Sequence, residues 1–153
     1  MTPASVPRRR AVDAPAPRTP APAPAADHGA DAVPRAELVA VGSSEAYARL
    51  LGASGVPIVV EFTARWCGPC RHTRLLLEQA AARHHDTAVF AYVDIDETPD
   101  LAETLGVKNL PTVVFYHNGR VVGSLEGHDP ARLHELLRQL VVPRPGAGLR
   151  VGR

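Results

Sequence analysis

Two cysteines separated by two residues are the side chains in this sequence best suited to redox chemistry. Cys67 and Cys70 enclose Gly68 and Pro69, between a run of β-branched residues and a long stretch without further glycine or proline. The pair is therefore predicted at a turn from a strand into a helix. The positive end of that helix stabilises a thiolate on the first thiol, with a pKa of about 3.5–7.5. We expect Cys67 to be the nucleophile and the less exposed Cys70 to resolve the mixed disulfide that Cys67 forms.

Three other interpretations of the cysteine pair remain open from the residue types. A zinc site could use Cys67, Cys70 and His72, although the sequence has no second cysteine pair and its seven histidines are scattered. A purely structural disulfide needs an oxidising compartment, which nothing in the composition indicates. The two thiols could also pack as small apolar side chains, which would leave their position at a strand-to-helix turn unexplained.

The segments that position this pair alternate between strand and helix patterns. Runs of β-branched and aromatic residues predict strands, and the run at residues 57–63 contains a single carboxylate, Glu61. Asn118-Gly119 predicts a type I′ hairpin turn between the last two strands. The predicted strands are residues 37–41, 57–63, 88–94, 112–117 and 120–125. With the helices between them, they indicate an α/β fold whose central mixed sheet is parallel in the middle, antiparallel at the hairpin and flanked by helices on both faces.

Four helices are predicted from capping residues and apolar spacing. They begin near residues 43–45, 67, 99 and 129, and Asp129 is the expected cap of the last one. The long helix from residue 67 to residue 84 keeps helical spacing at Leu75, Leu76, Gln79, Ala80 and Arg83. It is the element that carries both cysteines at its start.

The overall composition is that of a single globular domain. The chain has 153 residues, of which 45% are apolar and 22% charged, and 17 basic side chains nearly balance 16 acidic ones. This balance gives no strong field for nucleic acid or a membrane surface, so neither is expected as a partner. The apolar runs are shorter than the ~18 residues that suggest a membrane span. We expect a soluble protein.

The two ends of the chain differ in composition from its middle. Residues 1–36 hold 8 of the 15 prolines and 11 alanines, without any aromatic residue, leucine or isoleucine, and are predicted to be a disordered Pro/Ala-rich tail. No apolar stretch follows the arginines at positions 8–10, so an export signal is not indicated. A solvated tail is favoured over a transit peptide or an electrostatic tether. Residues 37–142 form the expected domain, and residues 143–153 a flexible C-terminal tail.

The sequence from about Leu38 to Val141 resembles the thioredoxin family. Trp66-Cys67-Gly68-Pro69-Cys70 matches the active-site pentapeptide of that family at every position. The resemblance extends to the order of elements, the Leu110-Pro111-Thr112 turn, the Asn118-Gly119 hairpin and Gly127 before the last helix. It implies a thioredoxin fold and a protein-disulfide reductase without a bound cofactor, in which electrons pass from NADPH through a flavin-containing thioredoxin reductase to the Cys67–Cys70 pair. The expected partners are that reductase and disulfide-containing client proteins, with the protein acting as a cytoplasmic monomer.

The resemblance also assigns roles around the cysteines. Pro111 would be a cis proline that presents the backbone of Leu110 to a substrate strand, whereas an ordinary trans proline would simply open an edge strand. Trp66, Gly68, Pro69 and Gly127 would complete the substrate-binding surface. Of these, Trp66 would form a wall that shields Cys67.

Glu61 matches the position at which thioredoxins usually carry a buried aspartate beneath the second cysteine. Burial would raise the pKa of Glu61, so that it could take a proton from Cys70 during resolution. An outward-facing edge carboxylate is the alternative. Thr63 and Tyr92 depart from the tryptophan and lysine common in the family, which changes the local field. Glu126, at a rim position that is usually apolar, is expected to disfavour acidic clients.

Two further functions are compatible with the same residues. A disulfide oxidase or isomerase would use the same chemistry, but Gly68-Pro69 resembles the reducing members of the family. A binding or holdase module would instead dock partners on the apolar surface around Trp66, Pro69, Leu110 and Pro111, with its redox activity incidental.

Overall fold

The protein is described by a computed structural model that covers residues 36–52 and 55–142. Within these ranges five strands alternate with four helices, as the sequence predicts. They are β1 (Val39–Ala40), α1 (Ser44–Gly52), β2 (Ile58–Thr63), α2 (Gly68–His84), β3 (Val89–Asp94), α3 (Pro99–Thr104), β4 (Thr112–His117), β5 (Arg120–Glu126) and α4 (Pro130–Leu140). The predicted tails at residues 1–35 and 143–153 lie outside the described residues. Ala36, placed in the tail by its composition, donates its backbone N–H to the Glu78 carbonyl at 3.0 Å and packs on the core, so it belongs to the domain.

The five strands form one sheet in the order β1-β3-β2-β4-β5. β3 is parallel to both β1 and β2, whereas β4 is antiparallel to β2 and to β5. The sheet is mixed as predicted, with parallel pairing of β2 and β3 in its middle and antiparallel pairing at the hairpin, and the antiparallel part also includes the β2–β4 pair. After α3 the chain enters β4 antiparallel to β2. The direction of β4 depends on tertiary packing, which no local sequence pattern indicates.

Helices cover both faces of the sheet, in agreement with the sequence prediction. On one face, α2 and α4 contribute Leu77 and Leu133 to a core that includes Val59 of β2. On the other face, α1 and α3 pack against Val60 and Phe62 of the same strand. Because alternate residues of a strand point to opposite faces, Glu61 points to the same side as Val59, towards α2. The central strand therefore directs its single carboxylate into the layer beneath the cysteine helix.

Local signals in the sequence account for the turns and caps. Asn118 and Gly119 both have positive φ, 52° and 74°, as a type I′ turn requires. Asp129 caps α4 by accepting a hydrogen bond from the backbone N–H of Arg132 at 3.0 Å. The described part of the chain contains no helix long and apolar enough to cross a membrane.

Four strand ends meet in one row at a single edge of the sheet. Thr63 at the end of β2 pairs with Asp94 at the end of β3, and Phe62 pairs with Thr112 at the start of β4. Thr112 in turn pairs with Glu126 at the end of β5. The loops that continue from this row carry Trp66 to Cys67, Ile95 to Glu97, Lys108 to Pro111 and Gly127 to His128. Segments far apart in the chain are thus gathered around the start of α2.

Candidate active site

Cys67 and Cys70 lie at the N-terminal end of α2 and form a disulfide, with their Cα atoms 5.4 Å apart. Cys67 is the N-cap residue of the helix, and its Sγ accepts a hydrogen bond from the backbone N–H of Cys70 at 3.3 Å. The first turn of α2 has no acidic residue that would offset the positive end of the helix. Both residues are mostly enclosed, 5% exposed for Cys67 and 2% for Cys70, so the expected difference in exposure is present but small in the oxidised form. The bond excludes two independently packed thiols in this state.

His72, the third residue of the zinc alternative, lies beside another histidine. Its ring centroid is 5.6 Å from that of His128, and His128 Nδ1 is 2.8 Å from the hydroxyl of Thr73. Within residues 36–52 and 55–142, no three His, Cys, Asp or Glu side chains are grouped closely enough to hold a metal ion.

A surface groove of about 400 Å³ borders Cys67. Four of the residues predicted to bind substrate line it together with Cys67: Trp66, Gly68, Pro69 and Leu110. The Trp66 side chain is 70% exposed, and its indole N–H donates to Asp96 at 3.0 Å, which fixes the orientation of the ring. The structure therefore brings one thiol, an oriented aromatic ring and the loop before β4 to the same opening.

Pro111 and Gly127, the other two residues predicted to bind substrate, do not line this groove. The Leu110–Pro111 peptide bond is cis, so the trans alternative is wrong. Pro111 is buried, and its carbonyl accepts a hydrogen bond from the Gly127 N–H at 2.7 Å. Gly127 has φ of 81°, a conformation that disfavours residues with a side chain. This contact joins the loop before β4 to the end of β5.

Glu61 is completely buried on the central strand, so the alternative of an outward-facing edge carboxylate is wrong. Its Oε2 accepts a hydrogen bond from Nε of Arg74 at 2.5 Å, whereas its Oε1 has no hydrogen-bond partner among the described residues. Burial raises the pKa of Glu61 to about 7, a rise that Arg74 opposes and Glu78 reinforces. A carboxyl with this pKa can both accept and release a proton near neutrality.

Arg74 is the part of the site that the sequence interpretation missed. Its guanidinium carbon lies 3.9 Å from the centroid of the Tyr92 ring while its Nε contacts Glu61. Arg74 and Tyr92 line a second surface cleft of about 410 Å³, which Cys70 also borders. A signal was available, because Arg74 follows Cys70 by four residues and so lies on the same face of α2.

Glu126 takes part in a contact at the rim of the active-site edge. Its Oε2 accepts a hydrogen bond from the side-chain amide of Asn109 at 2.7 Å, and both residues are exposed. Asn109 also lines the groove beside Cys67. The carboxylate is thus placed near the groove, although its predicted effect on acidic clients stays a prediction.

The site joins a redox-active cysteine pair at a helix N-terminus to a cis-proline loop on a mixed sheet, an arrangement that defines a thiol-disulfide oxidoreductase. The family model for thioredoxin matches residues 38–139, and the chain belongs to the thioredoxin family. Members of this family are disulfide reductases that work without a prosthetic cofactor and generally interact with thioredoxin reductase and disulfide clients.

Curated relatives and solved structures of thioredoxins resemble the chain over most of its described length. Thioredoxin-2 of Saccharomyces cerevisiae is 34% identical over 95 residues, which is 62% of this chain and 90% of the yeast protein. The mitochondrial thioredoxin of Bos taurus is 42% identical over 89 residues, 58% of this chain and 54% of the bovine protein. The crystal structure of the Malassezia sympodialis thioredoxin superposes with a TM-score of 0.64 at 29% identity, covering 74% of this chain and 98% of that one.

Proposed function

We propose that this protein reduces disulfides of client proteins by dithiol–disulfide exchange, with Cys67 as the attacking thiol and Cys70 as the resolving thiol. The observation that carries this assignment is that the two cysteines border different openings on the surface. Cys67 borders the groove beside Trp66 and Leu110, whereas Cys70 borders the cleft that contains Arg74. A client can therefore reach the first thiol while the second remains covered on the client side.

The reaction consumes the dithiol form in two exchange steps. The Cys67 thiolate attacks one sulfur of the client disulfide, so that a mixed disulfide forms and the first client thiolate leaves. Cys70 then loses its proton to Glu61 and attacks Sγ of Cys67. The bond between Cys67 and the client breaks, the Cys67–Cys70 disulfide forms, and the second client sulfur leaves as a thiolate that takes a proton from solvent. Two electrons have then passed from the protein to the client.

The groove favours an extended segment of the client next to the reacting sulfur. Leu110 lies at the groove immediately before the buried Pro111, which has no N–H to compete for hydrogen bonds. Main-chain pairing with the Leu110 backbone would align a client strand across Cys67 without selecting its side chains. Selection would then fall to the exposed rim, where Trp66 offers an apolar face and Glu126 a negative charge.

The dithiol form must be regenerated by a reductant. We assign this step to a thioredoxin reductase that draws on NADPH, in a reducing compartment, with the protein acting as a monomer. The cytoplasm is the compartment we propose. The family membership supports the reductase as a partner. Because the relative from Bos taurus is a mitochondrial thioredoxin, the test is the localisation of a tagged full-length chain, and a mitochondrial location would contradict the cytoplasm.

Trapping of clients tests the roles of the two thiols. Cys70→Ser leaves the nucleophile without its resolving partner, so it should accumulate stable mixed disulfides, while Cys67→Ser should accumulate almost none. The measurement is non-reducing electrophoresis of complexes formed with insulin or another defined disulfide protein. Equal trapping by both variants, or alkylation of Cys70 before Cys67 at neutral pH, would contradict the assignment.

Two further measurements separate the reductase from its alternatives. A binding or holdase module would retain its activity with both cysteines replaced by serine, whereas insulin-disulfide reduction with thioredoxin reductase and NADPH should be lost. The reduction potential of the Cys67–Cys70 pair distinguishes a reductase from an oxidant. A value below about −200 mV supports the reductase, and a higher value supports an isomerase or oxidase.

A further inference from the structure

The two oxygens of the buried Glu61 carboxylate have different surroundings. Oε2 accepts the hydrogen bond from Arg74, while Oε1 receives none from any residue that the structure describes, and the whole side chain is inaccessible to solvent. A buried carboxylate oxygen without a donor carries a desolvation penalty of about 1–3 kcal/mol or more. A free lone pair of this kind is what a proton acceptor requires.

Arg74 is itself held by two contacts. Its guanidinium lies over the face of Tyr92, and Tyr92 is the residue of β3 that pairs with Glu61 in the parallel register. The Arg74 guanidinium therefore lies between the Tyr92 ring and the Glu61 carboxylate, which come from paired positions on β3 and β2. With only 24% of its side chain exposed, Arg74 has much less freedom than a surface arginine.

The location of Arg74 relates Glu61 to the resolving cysteine. Arg74 lies one helical turn after Cys70 on α2, and both residues border the same cleft, whereas Glu61 does not reach its surface. The guanidinium thus separates the buried carboxylate from the solvent in that cleft. Any change in the ionisation of Glu61 takes place beneath this cation.

We propose that Arg74 is a positioning residue for the resolving step. Its guanidinium, held by Tyr92, binds Oε2 of Glu61, keeps the carboxylate ionised and leaves Oε1 as the oxygen that takes the proton from Cys70. The inference rests on the proposed function, because it assigns to Glu61 the proton-accepting role in client reduction. It adds that the pH at which resolution becomes efficient is set by a cation on the cysteine helix.

The charges facing Glu61 make the direction of the effect clear. Arg74 and Glu78 face it from α2, Tyr92 adjoins it on β3, and the paired residue on β4 is the apolar Val113. Burial raises the pKa of Glu61 to about 7 even though Arg74 lowers it, and Glu78 raises it further. Removal of the guanidinium leaves burial and Glu78 unopposed, so the pKa must rise.

The size of the effect follows from the usual influence of an adjacent arginine on a carboxyl. Loss of such a neighbour raises the pKa by about 1–3, and a rise of one to two would lower the ionised fraction at pH 7 about five- to fiftyfold. Resolution by Cys70 should slow by the same factor at pH 7 and recover at higher pH. A residue with only a structural role would change the amount of folded protein without moving this pH profile.

The experiment compares Arg74→Met, Arg74→Lys and a control, Arg83→Met, in the full chain. Methionine keeps an unbranched stem as far as the position of Nε but lacks the charged guanidinium, and lysine keeps the charge without the planar fork. Arg83 is an exposed arginine near the end of the same helix and outside the cleft that Cys70 borders. The first readout is the titration of the Glu61 carboxyl carbon by 13C NMR. The second is the rate of thiol release from a chromophoric mixed disulfide on Cys67, followed from pH 5 to pH 9.

Arg74→Met should move both the Glu61 titration and the pH profile of the resolution rate to higher pH by at least one unit. Arg74→Lys should keep most of the original profile. Arg83→Met should match the unaltered protein. In the double variant Glu61→Gln/Arg74→Met, resolution should be no slower than in Glu61→Gln alone. If Glu61→Gln slows resolution but Arg74→Met leaves the profile in place, the role of Arg74 is overturned while the proposed function stands.

Other results of the same experiments would overturn the roles proposed for Glu61 and Arg74. If Glu61→Gln resolves as fast as the unaltered protein, both the proton transfer to Glu61 and the role of Arg74 are overturned. Should Arg74→Met fail to fold, the lysine variant carries the test through the NMR titration alone. A Glu61 pKa that rises in Arg74→Lys by more than one would overturn the claim that a cation at this position keeps the carboxylate ionised.

Discussion

Replacement of Glu61 by glutamine should change the pH dependence of stability in a defined way. The ordinary pKa of a glutamate, 4.5, applies in the unfolded chain, whereas the pKa in the folded protein is about 7 because the side chain is buried. Between these values the folded state binds a proton that the unfolded state has already released. The stability that Glu61 contributes is therefore complete below pH 4.5 and is lost as the pH rises through 7.

The magnitude follows from the difference between the two pKa values. At about 1.4 kcal/mol for each pKa unit, the rise from 4.5 to about 7 corresponds to about 3 kcal/mol of unfolding free energy. Because the side chain is completely buried, solvent screening does not reduce this figure as it would for a surface carboxyl. Glu61→Gln has no such titration, so its stability relative to the unaltered protein should increase by about 3 kcal/mol between pH 4 and pH 8 and then level off.

Urea denaturation of the oxidised protein at a series of pH values measures this difference directly. The loss of the hydrogen bond to Arg74 also changes the difference in unfolding free energy between the two proteins. That change is the same at every pH, so the pH-dependent part of the difference comes from the titration. A matched control is Glu103→Gln, which makes the same chemical change at an exposed position of α3 and is measured over the same pH range. A constant difference between Glu61→Gln and the unaltered protein from pH 5 to pH 9 would refute the assignment of Glu61 as a buried carboxyl with a raised pKa.

Two further predictions concern residues away from the cysteines. Tyr47 and Tyr116 are buried and joined by a hydrogen bond between their hydroxyls, and burial raises the pKa of both. Tyr47→Phe should lower the unfolding free energy by about 1–3 kcal/mol because it leaves the Tyr116 hydroxyl without its partner, and the double Phe variant should cost less than the sum of the two single ones. Strict additivity in urea denaturation would contradict the pairing. Gly127→Ala should lower the unfolding free energy by about 1–2 kcal/mol because an alanine is strained at φ of 81°, and thermal unfolding at the level of the unaltered protein would show that this turn relaxes freely.

The features that could be predicted from the sequence are those with local causes. The Asn118-Gly119 turn and the Asp129 cap depend on a few adjacent residues, and both are confirmed. The cysteine pair at the start of α2 is confirmed for the same reason, since glycine and proline mark where the helix begins. The burial of Glu61 was also predictable, because it interrupts an otherwise apolar strand.

The features that escaped prediction depend on how distant segments pack. Three successive leucines in α2 fit more than one helical face, and the structure buries Leu77 completely while Leu75 is 37% exposed, so the predicted spacing at Leu75 does not mark the core. The antiparallel direction of β4 beside β2 is likewise set by tertiary packing. The four-residue spacing places Arg74 on the Cys70 face of α2, but its contacts with Glu61 and Tyr92 involve three elements at once, so the spacing alone does not indicate them.

The row of paired strand ends has a consequence for how this protein can diversify. Thr63, Asp94 and Thr112 are buried and fixed in the ladder, while positions just beyond the row, such as Lys108 and Asn109, are exposed. Substitutions at exposed positions usually change stability by less than about 0.5 kcal/mol. Mutations, in nature or in the laboratory, can therefore change the residues of the recognition surface. The sheet that positions Cys67 and Cys70 relative to Glu61 stays the same. Client range and redox chemistry are thereby separable traits of one small domain.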